Sequence, residues 1–96
     1  MLERVIENRL KLRCRQYGLT CLKFVSPSFS GVPDRMILIP RGRVVFVELK
    51  APKKVERARQ VYVQDQLRRL GFLVLSSVDS FEKVEEVIEE CLRMKD

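Results

Sequence analysis

Asp34, Glu48 and Lys50 are the residues of this 96-residue chain whose types and spacing could do chemistry together. They lie in the stretch Gly31 to Lys50, GVPDRMILIPRGRVVFVELK, two apolar runs joined by a tight turn. Pro40-Arg41-Gly42-Arg43 is the predicted turn, because glycine supplies the positive φ that hairpin loops need. Arg35 to Ile39 is then one strand, and Val44 to Lys50 the next, rich in β-branched residues. Side chains alternate along a strand, so Val44, Phe46, Glu48 and Lys50 share one face and Val45, Val47 and Leu49 the other. Glu48 and Lys50 thus stand roughly 7 Å apart, and the hairpin can return Asp34 to the side of Glu48. Two carboxylates and one ammonium at the end of a strongly apolar hairpin form either a cross-strand salt bridge or a site for a divalent cation. Uncompensated carboxylates at such a place are costly, and a cation would relieve the cost.

Composition narrows the chemistry. The chain has no histidine, which excludes His-based triads and histidine metal sites. Hydrolysis would rest on carboxylates, lysine, water and a hard metal ion, and oxygen ligands suit Mg²⁺ or Mn²⁺. Cys14, Cys21 and Cys91 are odd in number and contain no CxxC pair, so neither a disulfide framework nor a zinc site is indicated. All three fall in apolar patterns, as buried free thiols do. Lys+Arg outnumber Asp+Glu by 19 to 13. The segment Asp79 to Asp96 carries seven acids and three bases, leaving sixteen bases against six acids elsewhere. That asymmetry fits a polyanion-binding face with the last helix turned away from it. A hydrophobic content of 46% predicts a packed core, and the length suits one domain over residues 1–96. No apolar run approaches a membrane span, and the opening MLERVIENRL lacks the apolar region of a signal peptide. A protein of the cytoplasm, or one acting inside a host cell, is expected.

The elements that must position these groups follow from periodicity. Leu2 to Tyr17 is a predicted helix with Leu2, Ile6, Leu10, Cys14 and Tyr17 in one stripe. Glu3 projects within that stripe and Glu7 at its edge, where Glu7 could pair with Lys11 or Lys23. Val5 and Leu12 lie off the stripe and hint at a second buried surface. Gly18 ends the helix, Leu19 to Val25 is a strand, and Ser26 to Ser30 is a polar loop. Gly31 and Pro33 shape the backbone that presents Asp34. Pro52 stops the third strand; Lys53 and Lys54 after it could meet phosphates or simply be solvated. Val55 to Leu70 is a helix with Gln60, Val63, Leu67 and Leu70 on one side. Phe72 to Ser77 is a nearly all-apolar strand, predicted to be buried in the sheet. Asp79-Ser80-Phe81-Glu82 resembles a helix start, and Phe81, Val84, Val87, Ile88, Cys91 and Leu92 form an amphipathic last helix. The expected order is α-β-β-β-α-β-α, an α/β domain around a small mixed sheet.

Pro33-Asp34, a hairpin, then Glu48-Leu49-Lys50 resembles the PD-(D/E)XK nuclease signature. The surroundings, Lys23-Phe24-Val25-Ser26-Pro27, Gly31-Val32-Pro33-Asp34-Arg35 and Val45-Phe46-Val47-Glu48-Leu49-Lys50-Ala51-Pro52, resemble the VRR-NUC (virus-type replication-repair nuclease) domain across nearly the whole chain. The resemblance implies a restriction-endonuclease-like fold and a Mg²⁺- or Mn²⁺-dependent DNA endonuclease acting in replication, repair or recombination. It implies metal ligation by Asp34, Glu48, the carbonyl of Leu49, and an acid of the first helix, for which Glu3 and Glu7 both qualify. Lys50 would orient the attacking water, and Gln60 would support the site. Lys23, Ser26, Arg35, Lys53 and Lys54 are the expected DNA contacts. Branched or structured DNA, such as a Holliday junction or a flap, is the expected substrate of a homodimer, with Val5, Leu12, Val61 and Tyr62 as interface candidates. Two rivals are a non-catalytic nucleic-acid-binding module of the same fold and a subunit active only within a larger assembly.

Overall fold

The computed structural model describes residues 1–95. Its elements follow in the expected order: α1 (Glu3–Gln16), β1 (Thr20–Lys23), β2 (Arg35–Ile39), β3 (Arg43–Leu49), α2 (Ala58–Arg69), β4 (Leu73–Val78) and α3 (Phe81–Met94). The strands form one mixed sheet in the order β1-β2-β3-β4. β1 and β3 run antiparallel to β2, and β4 runs parallel to β3. The parallel pair needs a crossover, and α2 supplies it between β3 and β4. Ile39 pairs with Arg43 across the turn. Gly42 takes φ 74°, as expected, and Arg41 also takes a positive value, 71°.

The predicted alternation along β3 divides the two sides of the sheet. Val45, Val47 and Leu49 pack with Ile37 and Ile39 beneath α1 and α3, which contribute Ile6, Leu10 and Cys14, and Val84, Val87, Ile88 and Cys91. Burying each of the larger aliphatic side chains stabilises the fold by about 1.5–3 kcal/mol. Arg13 of α1 grips Glu85 of α3 through two hydrogen bonds of 2.9 Å, tying the helices across that core. Phe46 points the opposite way and meets Phe24 and Phe72 at centroid distances of 5.6 and 5.3 Å. Glu48 follows Phe46 on that second side, which α2 approaches. The Ser80 hydroxyl caps α3 by accepting from the Lys83 backbone N–H.

Several expectations need correction. β4 is an edge strand, and Leu73, Leu75, Ser76 and Ser77 are only half-buried. The apolar run reflects cover on both faces, Leu73 and Leu75 against the core of α1 and α3 and Val74 beside Phe46 on the side of α2, rather than a central position. α2 begins at Ala58, not Val55, and Val55 is 86% exposed. The cause is local: the chain after Pro52 turns through Lys53 at φ 68° and becomes helical only where Gln60 meets the Arg57 amide. Leu2, Tyr17 and Leu70, placed in buried stripes by periodicity, are exposed because they lie beyond the last full turn of their helices. Cys14 and Cys91 are buried as expected, but Cys21 on the edge strand β1 is half-buried. Among the described residues, no helix is long and apolar enough to cross a membrane.

Candidate functional site

The hairpin register brings the first two carboxylates together. Arg35 pairs with Val47, so Asp34, one residue earlier, falls opposite Glu48. Its Oδ2 accepts from the Leu49 backbone N–H at 2.8 Å, and its carbonyl accepts from the Phe24 N–H at 2.9 Å. Glu48 is held by an irregularity on the other side of β3. The β3–β4 register slips between Val47 and Leu49: Val47 pairs with Leu75, but Leu49 with Val78. Two β4 residues, Ser76 and Ser77, therefore face the single position of Glu48, and Ser77 takes φ 55°. Glu56 pins this bulge by accepting from the Ser77 N–H at 3.0 Å and its hydroxyl at 3.3 Å. Such bulges aim a side chain that regular pairing would not.

Glu48 is 1% exposed. Its Oε2 accepts from Gln60 Nε2 at 2.9 Å and lies 3.4 Å from Lys50 Nζ. Gln60 also accepts from Lys50 Nζ at 2.8 Å and from the Arg57 amide at 3.0 Å. One glutamine thus fixes the carboxylate, the ammonium and the start of α2. The other oxygen, Glu48 Oε1, is buried without a hydrogen-bond partner. Burial, and then the negative charge of Asp34, pushes the Glu48 carboxyl up to about 7. The neighbouring Lys50 pulls the other way and is outweighed. Asp34 is likewise raised, first by burial, against the opposing hydrogen bond from Leu49 and the charge of Lys50.

The two acids of α1 differ in their partners. Glu7 Oε2 accepts from Arg35 Nε at 3.3 Å and from its terminal nitrogen at 3.1 Å. Glu3 makes no ion pair among the described residues. Its carboxyl is raised by partial burial and then by the charge of Asp34, while Lys50 and the Ala51 amide oppose the shift. Glu3 and Glu7 are thus both within electrostatic reach of Asp34; they differ in that Glu7 is bound to an arginine. Arg35, expected among the DNA contacts, is 8% exposed and turned inward onto Glu7. Lys23, Lys53 and Lys54 are exposed, and Ser26 is half-buried.

The donors suit a hard cation. Two raised carboxyls, Glu48 buried and Asp34 half-buried, face a single ammonium, and one buried oxygen lacks any partner. Among the described residues no three His, Cys, Asp or Glu gather closely enough to hold a metal ion by themselves. Mg²⁺ does not require one, since it binds through one or two carboxylates together with substrate phosphates and water.

Sequence reasoning missed three features. Gln64 is 1% exposed, with its Nε2 lacking a partner. Glu56 holds the bulge behind Glu48. Arg59 donates to the Ser30 carbonyl at 3.1 Å and clamps the loop before Asp34. Gly31 was the one available signal for that clamp: a Cβ there would stand 2.8 Å from Arg59 Cγ.

Comparisons with known proteins accord with this geometry. No family model matches the chain. It is 41% identical over 76 residues to “Putative nuclease p44” of Acyrthosiphon pisum secondary endosymbiont phage 1, covering 77% of this chain and 82% of that protein. A solved structure described as “VRR_NUC domain” superposes with a TM-score of 0.80 at 28% identity, covering 91% of this chain and 94% of the other.

Proposed function

Because the chain belongs to the VRR-NUC family of nucleases, we propose that it is a Mg²⁺- or Mn²⁺-dependent endonuclease hydrolysing DNA phosphodiester bonds. Glu48 carries this reading: a buried carboxyl raised to about 7, with one unpartnered oxygen, beside Asp34 and Lys50. Asp34, Glu48 and the Leu49 carbonyl are the assigned ligands, with Glu3 of α1 reaching the ion through water. Glu7 is left out because Arg35 occupies it. Bound there, the ion supplies charge neutralisation at the phosphate and acidifies water. Lys50, aimed by Gln60, orients the attacking water and stabilises negative charge developing on the phosphate. Lys23, Lys53 and Lys54 hold the DNA backbone, and Ser26 lies on the same loop side. A non-catalytic binding module would use the basic charge but has no need of a buried carboxylate with one partnerless oxygen.

We place the substrate among branched DNAs, cut by a homodimer inside the cytoplasm of a bacterial cell. The phage source of the relative supports the setting. Val5 and Leu12 support the dimer: they are 40% and 43% exposed and share one row of α1 at helical spacing. Val61 and Tyr62 belong to α2, on the other side of the sheet, and so fall outside that row. The test compares a four-way junction, a flap and a linear duplex in Mg²⁺, Mn²⁺ and EDTA, with sedimentation at micromolar protein. Metal-dependent cutting that favours a branched substrate, by a dimer, is expected. Equal cutting of all three by a monomer contradicts the finer reading, and no cutting in any metal contradicts the nuclease assignment for the isolated chain.

A further inference from the structure

Phe29, Arg59 and Tyr62 form a stacked group on the surface beside the candidate site. The Arg59 guanidinium carbon lies 4.7 Å from the centroid of Phe29 and 5.3 Å from that of Tyr62. Arg59 also donates to the Ser30 carbonyl at 3.1 Å. Gly31, at φ 87°, lets the loop press against α2 where any side chain would collide with Arg59. The group is thus built rather than incidental. Yet both rings remain open to solvent, with Phe29 46% and Tyr62 52% exposed. A free aromatic pair of this kind is unusual unless something covers it.

Its charge points to the occupant. Arg59 makes no ion pair among the described residues, so its cation is not neutralised by a carboxylate. Exposed Arg57 lies just before it in the chain, and exposed Lys53 and Lys54 a few residues earlier. Aromatic faces bordered by unneutralised cations are the surface that single-stranded nucleic acid uses: bases stack on the rings, and phosphates meet Lys and Arg. The position is also fixed relative to the cleavage chemistry. Arg59 is the helical neighbour of Gln60, which holds Glu48 and Lys50, and Phe29 stands in the loop that leads directly into Asp34.

We infer that Phe29 and Tyr62, clamped by Arg59, are a stacking platform for an unpaired nucleobase next to the cleaved bond. This deepens, and rests on, the reading of the chain as a DNA nuclease. It accounts for a preference for forks and flaps over linear duplex without any sequence readout, because their single-stranded arms present unpaired bases.

The test uses forked DNA carrying 2-aminopurine at its branch point, a matched blunt duplex, and EDTA to prevent metal-dependent cutting. The wild type is expected to quench or shift the fluorescence of the fork on binding. Phe29→Leu and Tyr62→Leu keep apolar bulk but lose the ring. Each is expected to lose that response and bind the fork about ten-fold more weakly, the loss of one base–aromatic stack. Phe29→Tyr restores both, and duplex affinity stays within about two-fold in every variant. Melting temperature checks that the leucine variants are folded. Unchanged fork binding and fluorescence in folded Phe29→Leu overturns the platform. So does an unchanged fluorescence response accompanied by a weakened dimer, which makes the patch an interface between copies. Separate cleavage assays in Mg²⁺ keep the two readings apart: a wild type that cuts no DNA sinks the nuclease reading, whereas a wild type that cuts, with Phe29→Leu indistinguishable from it on fork and duplex, sinks the platform alone.

Discussion

Glu48 is held in a state that its surroundings resist. Its carboxyl titrates near 7 rather than 4.5 because burial and Asp34 outweigh Lys50. Between those values the folded protein binds more protons than the unfolded chain, so metal-free stability falls as pH rises through that window. The contribution amounts to about 3 kcal/mol at most, at ~1.4 kcal/mol for each pH unit between the two values. Thermal melts in EDTA are therefore expected to show a more stable protein at pH 5 than at pH 8, as far as Glu48 is concerned. Glu48→Gln should flatten that difference and melt higher than wild type at pH 8, because the amide keeps a partner for Gln60 without the buried charge. A variant that melts lower at pH 8 and keeps the full pH slope would show that Glu48 is not the strained group. Lys50→Ala is expected to lower cleavage by about 100-fold or more. Its DNA affinity should fall less than about two-fold, since one lysine among many bases supplies little of the electrostatic binding. Gln60→Ala should lower cleavage by roughly 10- to 100-fold, as loss of a group that orients its neighbours does.

At the level of elements, the site is made where a hairpin end, a bulge and a helix start coincide. Gly31 tests the loop between β1 and β2. Gly31→Ala forces a Cβ to 2.8 Å from Arg59 Cγ and 3.0 Å from its carbonyl, at φ 87°. A loss of about 1–3 kcal/mol in unfolding free energy is expected, with slower cleavage as the clamp shifts. Gly18→Ala is the control: it has φ 68° but open space, and should cost about 1 kcal/mol and leave cleavage intact. Similar losses at both positions in denaturant titrations would mean that the loop is not clamped. Much of this was legible in the sequence. Period-two alternation separated Val45, Val47 and Leu49 from Phe46 and Glu48, and the turn at Gly42 fixed the register that returns Asp34. The different partners of Glu3 and Glu7 were not legible, because they depend on Arg35 reaching across from β2. Neither was the bulge opposite Glu48, since Ser76-Ser77 carries no glycine to mark it. The edge position of β4 was hidden for a different reason: helices cover both faces of the sheet there, so even an edge strand reads as an apolar run.

Over the whole molecule, charge and chemistry are separated. The acidic residues of α3 lie on the helix packed against α1, and Arg13 neutralises one of them, Glu85. The lysines after β3 remain exposed near the site end of the hairpin. DNA binding is therefore expected to weaken steeply with salt, and Lys53→Ala or Lys54→Ala each to reduce the log–log salt slope by about 1 without changing sequence preference. Slopes identical to wild type would remove both residues from the DNA path. Glu48, with Asp34 and Lys50, is proposed to make a metal-dependent site for cutting DNA. The most direct measurement is the single-turnover cleavage rate of Glu48→Gln against wild type, in Mg²⁺ and in EDTA, at a pH where melting shows both folded. Wild type should cut only in Mg²⁺, with Glu48→Gln slower by about 100-fold or more. Cleavage by wild type in EDTA, or a Glu48→Gln rate equal to wild type in Mg²⁺, would contradict it.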